Sequence, residues 1–351
     1  MANTSVLIQK LYDTKSLSIT EYEKIISKSD EEDLYLLKKL AMIRRYEIYS
    51  NDIYIRGLIE ISNICKNDCY YCGIRKSNAH VSRYALSADD IYVCAAQGYN
   101  LGFRTFVFQG GENNIFDDDT LSFLIKKIKN NLGDVRITLS LGERSFYSLK
   151  KLKDAGADRY LLRHETIDKE HYKTLHPKEM SFDNRIKTLI ELKRLGFQTG
   201  CGFMVGTKGQ TDNMLAREMK FIEKFSPQMC GIGPFIPADN TPLENSAAGS
   251  FQKTITLLSI IRLIKPNILL PATTALASLS ERGQEEGILA GANVIMPNLS
   301  PQNVRKSYSL YNNKKSSGLE AAEYLDDLKE KMNDIGFQIV TSCGDIISHN
   351  L

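Results

Sequence analysis

The chain has 351 residues, 25% of them charged and 42% hydrophobic, an ordinary balance for a globular enzyme. Its 45 Lys and Arg against 42 Asp and Glu give a net charge of +3 with the signs interleaved, which argues against a nucleic-acid binder held by a basic face. No apolar run approaches the roughly 18 residues of a membrane span, and residues 1–10 hold no signal-peptide core, so a cytoplasmic protein is expected.

In chain order, residues 1–50 read as a helical cap, with Val6, Leu7 and Leu11, then Leu34, Leu36, Leu37, Leu40 and Ile43, at helical spacing. Eight short apolar runs follow, beginning near Tyr54, Thr105, Arg136, Arg159, Thr199, Met229, Ile268 and Asn293. They recur about every 30 residues, the length of a βα unit. The helices between them have readable ends. Ser87 with Asp90 resembles a capping box, Ser181 opens the Ile186/Leu189/Leu192 stripe, and Gly156 and Gly291 end helices just ahead of strands. Apolar strands alternating with amphipathic helices imply a parallel α/β sheet covered on its outer face. Eight units imply a closed (β/α)8 barrel of the TIM type over residues 51–300. An open doubly wound sheet is the alternative, but no Gly-x-Gly-x-x-Gly follows any strand, and Gly200 to Gly206 misses that spacing by one residue. Residues 301–351 read as an extension packed on the barrel, with a helix over 320–335 and a short strand near Phe337.

Seven cysteines is an odd number for a disulfide framework. Cys94, Cys201, Cys230 and Cys343 are solitary and read as small buried hydrophobes. Cys65, Cys69 and Cys72 are spaced so that three thiolates on one turn can converge on a soft metal centre. A structural zinc wants a fourth ligand; His80 is the nearest candidate, and no second cysteine pair follows. A redox Cys-x-x-Cys leaves Cys65 without a task. The economical reading is a [4Fe–4S] cluster with three irons capped by protein and one open, since an open position marks a catalytic metal site.

Barrel active sites lie at the C-terminal ends of the strands. The second run ends in Gln109-Gly-Gly-Glu112, where Glu112 can accept from an ammonium group. The third supplies Thr138 and Ser140 on one strand face, and the fourth supplies Arg163 and Glu165, again two residues apart. A Glu and an Arg inside a barrel are costly unless a ligand or partner satisfies them. His164 alternates away from that pair and is expected to pack against a helix. Arg185 opens the next helix, where a solvated first-turn arginine competes with a binding role. Thr273 and Thr274 end the seventh run, and Met204 and Met296 read as core.

Cys65-x3-Cys69-x-Tyr71-Cys72 resembles the signature of the radical S-adenosylmethionine (SAM) superfamily. That resemblance implies an open iron chelated by the amino and carboxylate groups of SAM, and an electron that cleaves a C–S bond to give methionine and a 5′-deoxyadenosyl radical. Within the biotin synthase-like group, the chain is similar to the HydE-type maturases of [FeFe]-hydrogenase over roughly residues 30 to 345. The motifs that carry this are Tyr54–Asn63, Tyr71–Arg75, Leu139–Glu143, Ala157–Thr166, Gly231–Pro237, Leu270–Ala275 and Gly291–Asn298.

The resemblance implies an anaerobic enzyme acting on an organometallic iron–cysteine synthon carrying CO and CN⁻, with functional links to HydG and HydF. It implies an electron donor such as ferredoxin or flavodoxin. By position, Cys65, Cys69 and Cys72 would bind the cluster, Glu112, Glu165 and Arg185 would bind SAM with Tyr71 beside them, and Arg56, Thr138, Ser140, Arg163, Thr273 and Thr274 would line the substrate cavity. Two departures count: only Cys343 lies beyond Cys230, which implies one cluster, and Lys208 stands where the family's Gly-Leu-Pro-Gly-Gln-Thr turn has Pro. A radical SAM mutase or synthase acting on an amino acid, of the methylornithine synthase kind, is the alternative, and a non-enzymatic metal-binding scaffold is a third class.

Overall fold

The computed structural model describes residues 3–315 and 322–347. Three helices open it: α1 (Thr4–Thr14), α2 (Ile19–Lys28) and α3 (Glu31–Tyr49). A capping box between Ser18 and Glu21 starts α2, and the Asp30 carboxylate caps α3. α2 packs on the helix Asp212–Phe225 and α3 on the helix Phe251–Ile264. Leu7, Leu11, Leu37 and Leu40 are buried there, whereas Val6 and Ile43 of the same apolar stripes are exposed.

The strands are β1 (Asp52–Ile55), β2 (Gly57–Ser62), β3 (Thr105–Gly110), β4 (Arg136–Ser140), β5 (Arg159–Leu161), β6 (Gln198–Cys201), β7 (Met204–Val205), β8 (Met229–Cys230), β9 (Gly233–Pro234), β10 (Val294–Ile295) and β11 (Gln338–Val340). β2-β3-β4-β5-β6-β8 form one parallel sheet, β7-β9 a second and β10-β1-β11 a third. Single bridges Met229–Leu269 and Pro271–Val294 close the ring. The eight apolar runs thus form the parallel barrel that their spacing implies.

Two runs depart from regular strands. The first divides at Arg56, where pairing passes from β10 to β3. The seventh, 268–271, makes isolated bridges only, because Pro271 has no N–H to continue a ladder. The helix expected over 320–335 spans Leu325–Asp334, and Glu320 and Ala321 lie outside the described residues.

Alternation along the strands divides two environments. Phe106, Phe108, Ile137, Leu139, Tyr160 and Leu162 join the main apolar core with the surrounding helices. Their alternates point inward. The lower end of the barrel is plugged by the C-terminal tail: buried Arg159 donates to Thr105 Oγ1 and to the Cys343 and Gly344 carbonyls and pairs with Asp345 at 2.6 Å. Among the described residues no helix is long and apolar enough to cross a membrane.

Candidate active site

The cysteine loop leaves the top of β2 and is pinned from several directions. Lys66 N donates to Glu112 O (2.7 Å), Tyr70 N to Leu175 O (2.9 Å) and Gly73 N to Leu310 O (2.9 Å). The Arg83 guanidinium gathers the carbonyls of Asn63, Ile74, Arg75 and Asn78. Cys65, Cys69 and Cys72 are unbridged and half-buried, while Cys94, Cys201 and Cys230 are buried, as expected of structural thiols; Cys343, expected to be buried with them, is only half-buried.

Burial pushes the Cys69 and Cys72 thiols up, Cys72 to about 12, and the neighbouring cysteines add to the shift. Three such thiols ionise only beside positive charge, which a metal centre supplies. Among the described residues no three His, Cys, Asp or Glu side chains converge as ligands of one ion must, and His80 is exposed. Three cysteines within eight residues and no second cysteine pair suit a cluster with one open iron better than a four-ligand structural zinc.

Above this loop lies a ring of charges. Glu112 pairs with Lys66 (3.0 Å), accepts from Glu143 N (2.9 Å) and lies 3.8 Å from Arg185. Gly142, at φ +75°, permits that approach, because a Cβ there would stand 2.1 Å from the Glu112 carboxylate. Arg185 pairs with Glu143 at 2.7 Å and is only 8% exposed, which removes the reading of a solvated first-turn arginine. Burial works against its charge, but Glu143, Tyr172 and Glu112 more than offset that and hold the guanidinium above the usual arginine range. Tyr71 O–H meets His176 Nε2 at 3.1 Å, and burial lowers His176 to about 3, so the ring is neutral at physiological pH.

Inside the barrel, Arg163 and Glu165 stand just beyond the end of β5, paired at 3.1 Å. Gly202 makes room for Arg163; a Cβ there would meet Gly231 O at 2.1 Å and Arg163 Cγ at 3.2 Å. Arg163 and Glu165 are thus partners of each other, one of the ways such charges can be tolerated inside a barrel. Glu165 has φ +67°, a conformation that costs a non-glycine residue about 1–3 kcal/mol. Glu165 lies close enough to Cys72 and Tyr71 for its charge to add to the upward shift of both groups, which burial dominates.

Thr138 Oγ1, Arg163 Nε and Thr273 Oγ1 are buried without hydrogen-bond partners, and Glu165 Oε2 has only its ion pair with Arg163. Such groups call for a polar guest. Ser140 lies beside Gln109 in register, and Thr274 begins the helix Thr274–Leu279, which Thr273 precedes as N-cap without a side-chain cap bond. Arg56 sits in a lower layer. Its Nη1 meets Met229 Sδ at 3.1 Å, its Nε and Nη2 have no partner, and burial together with nearby Arg159 pulls its pKa well below the arginine range.

Three features escaped the sequence reading as functional residues. Glu143 appeared only within a motif. Glu60, fully buried at an inward position, holds Lys314 Nζ (2.5 Å) and Asn298 Nδ2 (2.9 Å). Its signal was an acidic residue at an inward step of an apolar strand. His164, as expected, packs on a helix, but it also pairs there with buried Glu218 at 2.8 Å. Lys208, in place of Pro, offers its backbone carbonyl to His171 Nε2 at 3.2 Å.

Comparison with known proteins agrees with this geometry. The family model for the radical SAM superfamily matches residues 59–222. The [FeFe] hydrogenase maturase subunit HydE of Thermotoga maritima is 42% identical over 277 residues, 78% of each chain. A 3-methylornithine synthase of Methanosarcina acetivorans is 27% identical over 329 residues, 93% of this chain and 89% of its own length. The crystal structure of methylornithine synthase (PylB) superposes with a TM-score of 0.81 at 23% identity, covering 95% of this chain and 97% of that one, which supports the barrel fold. The cysteine loop, the barrel and the similarity to HydE lead to one conclusion: the chain belongs to the radical SAM superfamily and is a HydE-like enzyme within it.

Proposed function

We propose that the protein cleaves SAM reductively and acts on an iron–cysteine synthon carrying CO and CN⁻ during assembly of the [FeFe]-hydrogenase active site. The similarity to HydE supports the maturation role. The observation that carries the site reading is a set of buried polar atoms without hydrogen-bond partners on the barrel strands and the segments that follow them: Thr138 Oγ1, Arg163 Nε and Thr273 Oγ1.

Cys65, Cys69 and Cys72 would hold the [4Fe–4S] cluster. When bound, it supplies the single electron that splits SAM into methionine and a 5′-deoxyadenosyl radical. Glu112, Glu165 and Arg185 would bind the zwitterionic methionyl group, because the ring offers both signs of charge. Glu143 and Lys66, already paired with Arg185 and Glu112, orient those groups. Arg163, Thr138, Ser140, Thr273 and Thr274 would receive the substrate, with Arg56 below them. An anionic, carboxylate-bearing guest satisfies the hydroxyls and the free edge of Arg163 without stranding either charge. HydG and HydF are the expected functional partners, with ferredoxin or flavodoxin as electron donor.

The similarity to 3-methylornithine synthase favours a second reading, an amino-acid mutase. The Arg163/Glu165 pair suits an amino acid's two charges as well. The two readings part on which compound, an iron–cysteine complex or a free amino acid, triggers coupled SAM cleavage.

Arg185→Ala tests the SAM assignment. Loss of a buried charge-assisted contact should weaken SAM binding about 10- to 100-fold, while the absorbance of the reconstituted cluster stays unchanged. Unchanged affinity would remove Arg185 from the SAM site.

A further inference from the structure

Glu165 occupies a left-handed backbone conformation, φ +67°. Such a residue keeps its geometry only when its surroundings over-determine it. Part of that constraint is backbone pairing: His164 N and Glu165 N both donate to Gly202 O, at 2.9 and 3.0 Å, and Met204 N donates to Glu165 O at 3.3 Å.

The rest comes from outside the barrel. Glu218, on the helix Asp212–Phe225, is 1% exposed. Its Oε2 meets His164 Nε2 at 2.8 Å and its Oε1 accepts from Ile167 N at 2.5 Å. One carboxylate therefore grips the residue before Glu165 and the second residue after it. The His164 ring lies against Phe203 and Phe221, on the helix side of the sheet and away from the barrel interior. A buried carboxylate between sheet and helix is a poor source of stability compared with an apolar pair of the same volume. A role in fixing geometry explains its place better.

We propose that Glu218 is a positioning residue: through the His164 ring and the Ile167 N–H it holds the turn that presents the Glu165 carboxylate to the methionyl group of SAM. This rests on the reading of Glu165 as a SAM contact, and the test separates the two. SAM affinity is measured by equilibrium binding to cluster-loaded protein, with cluster absorbance and melting temperature as controls. Glu165→Ala and Glu218→Ala should each weaken binding by about tenfold or more, as loss of an orienting partner does.

The Glu165→Ala/Glu218→Ala double variant should bind no worse than Glu165→Ala, because Glu218 acts through Glu165. Glu218→Gln should stay within about threefold of wild type, since its amide can still accept from Ile167 and donate to His164. Should Glu218→Ala not fold, His164→Phe/Glu218→Met conserves volume and removes the grip, and the same loss is expected. Normal affinity without the grip, or losses that multiply in the Glu165 double variant, would overturn the positioning role while leaving Glu165 in the SAM site. Normal affinity in Glu165→Ala would overturn both.

Discussion

Arg163→Ala should abolish maturation of hydrogenase, by about a hundredfold or more, while cluster content and uncoupled SAM cleavage are retained. The side chain is about one-third exposed (34%) and keeps an Nε without a partner. Its other edge neutralises Glu165, so removal has two consequences. The substrate loses a guanidinium, and Glu165 loses its ion-pair partner. Arg163→Lys distinguishes them, because an ammonium keeps a positive charge beside Glu165 but cannot present a planar fork. The lysine variant should cleave SAM like wild type and mature hydrogenase about tenfold less. If Arg163→Ala matures hydrogenase normally, the guanidinium does not hold the substrate. Equal losses of SAM cleavage and maturation would place Arg163 in service of Glu165 alone.

Cys69→Ala should lose the cluster. Wild-type protein reconstituted without oxygen should hold about four irons per chain, since Cys343 is the one cysteine beyond Cys230 and offers no second three-thiolate loop. Removing one of three thiolates from a half-buried loop leaves two, too few to hold the cluster against chelators. Iron should fall below about a quarter of the wild-type value, and SAM cleavage with it. The fold should survive, because the loop's backbone anchors from Lys66, Tyr70 and Gly73 involve no thiol. Eight irons in the wild type, or full iron retention after Cys69→Ala, would contradict the single three-cysteine site.

What the sequence makes legible is what is local. The three cysteines lie within eight residues, so their chemistry shows in spacing alone. Short apolar runs recurring about every 30 residues expose the barrel strands, and the inward positions of Thr138 and Arg163 follow from the alternation of side chains along a strand. The missed pairs are those that folding brings together from afar. Lys314 reaches Glu60 across 254 residues and Glu218 reaches His164 across 54. No periodicity announces such partners. The burial of Arg185 is of the same kind, fixed by Glu143 on another element. Irregularity at the seventh run, by contrast, was written in Pro271, and the departure at Arg56 in a charged residue within an apolar run.

Whether this chain serves hydrogenase assembly can be measured in one experiment. The direct measurement is hydrogenase activity in a lysate lacking only the HydE-type maturase, with HydF, HydG, SAM and reductant supplied and this protein added back. The wild-type chain should restore activity and Arg163→Ala should not. A cluster-loaded wild-type chain that cleaves SAM yet restores no activity would contradict a role in hydrogenase assembly and favour an amino-acid substrate.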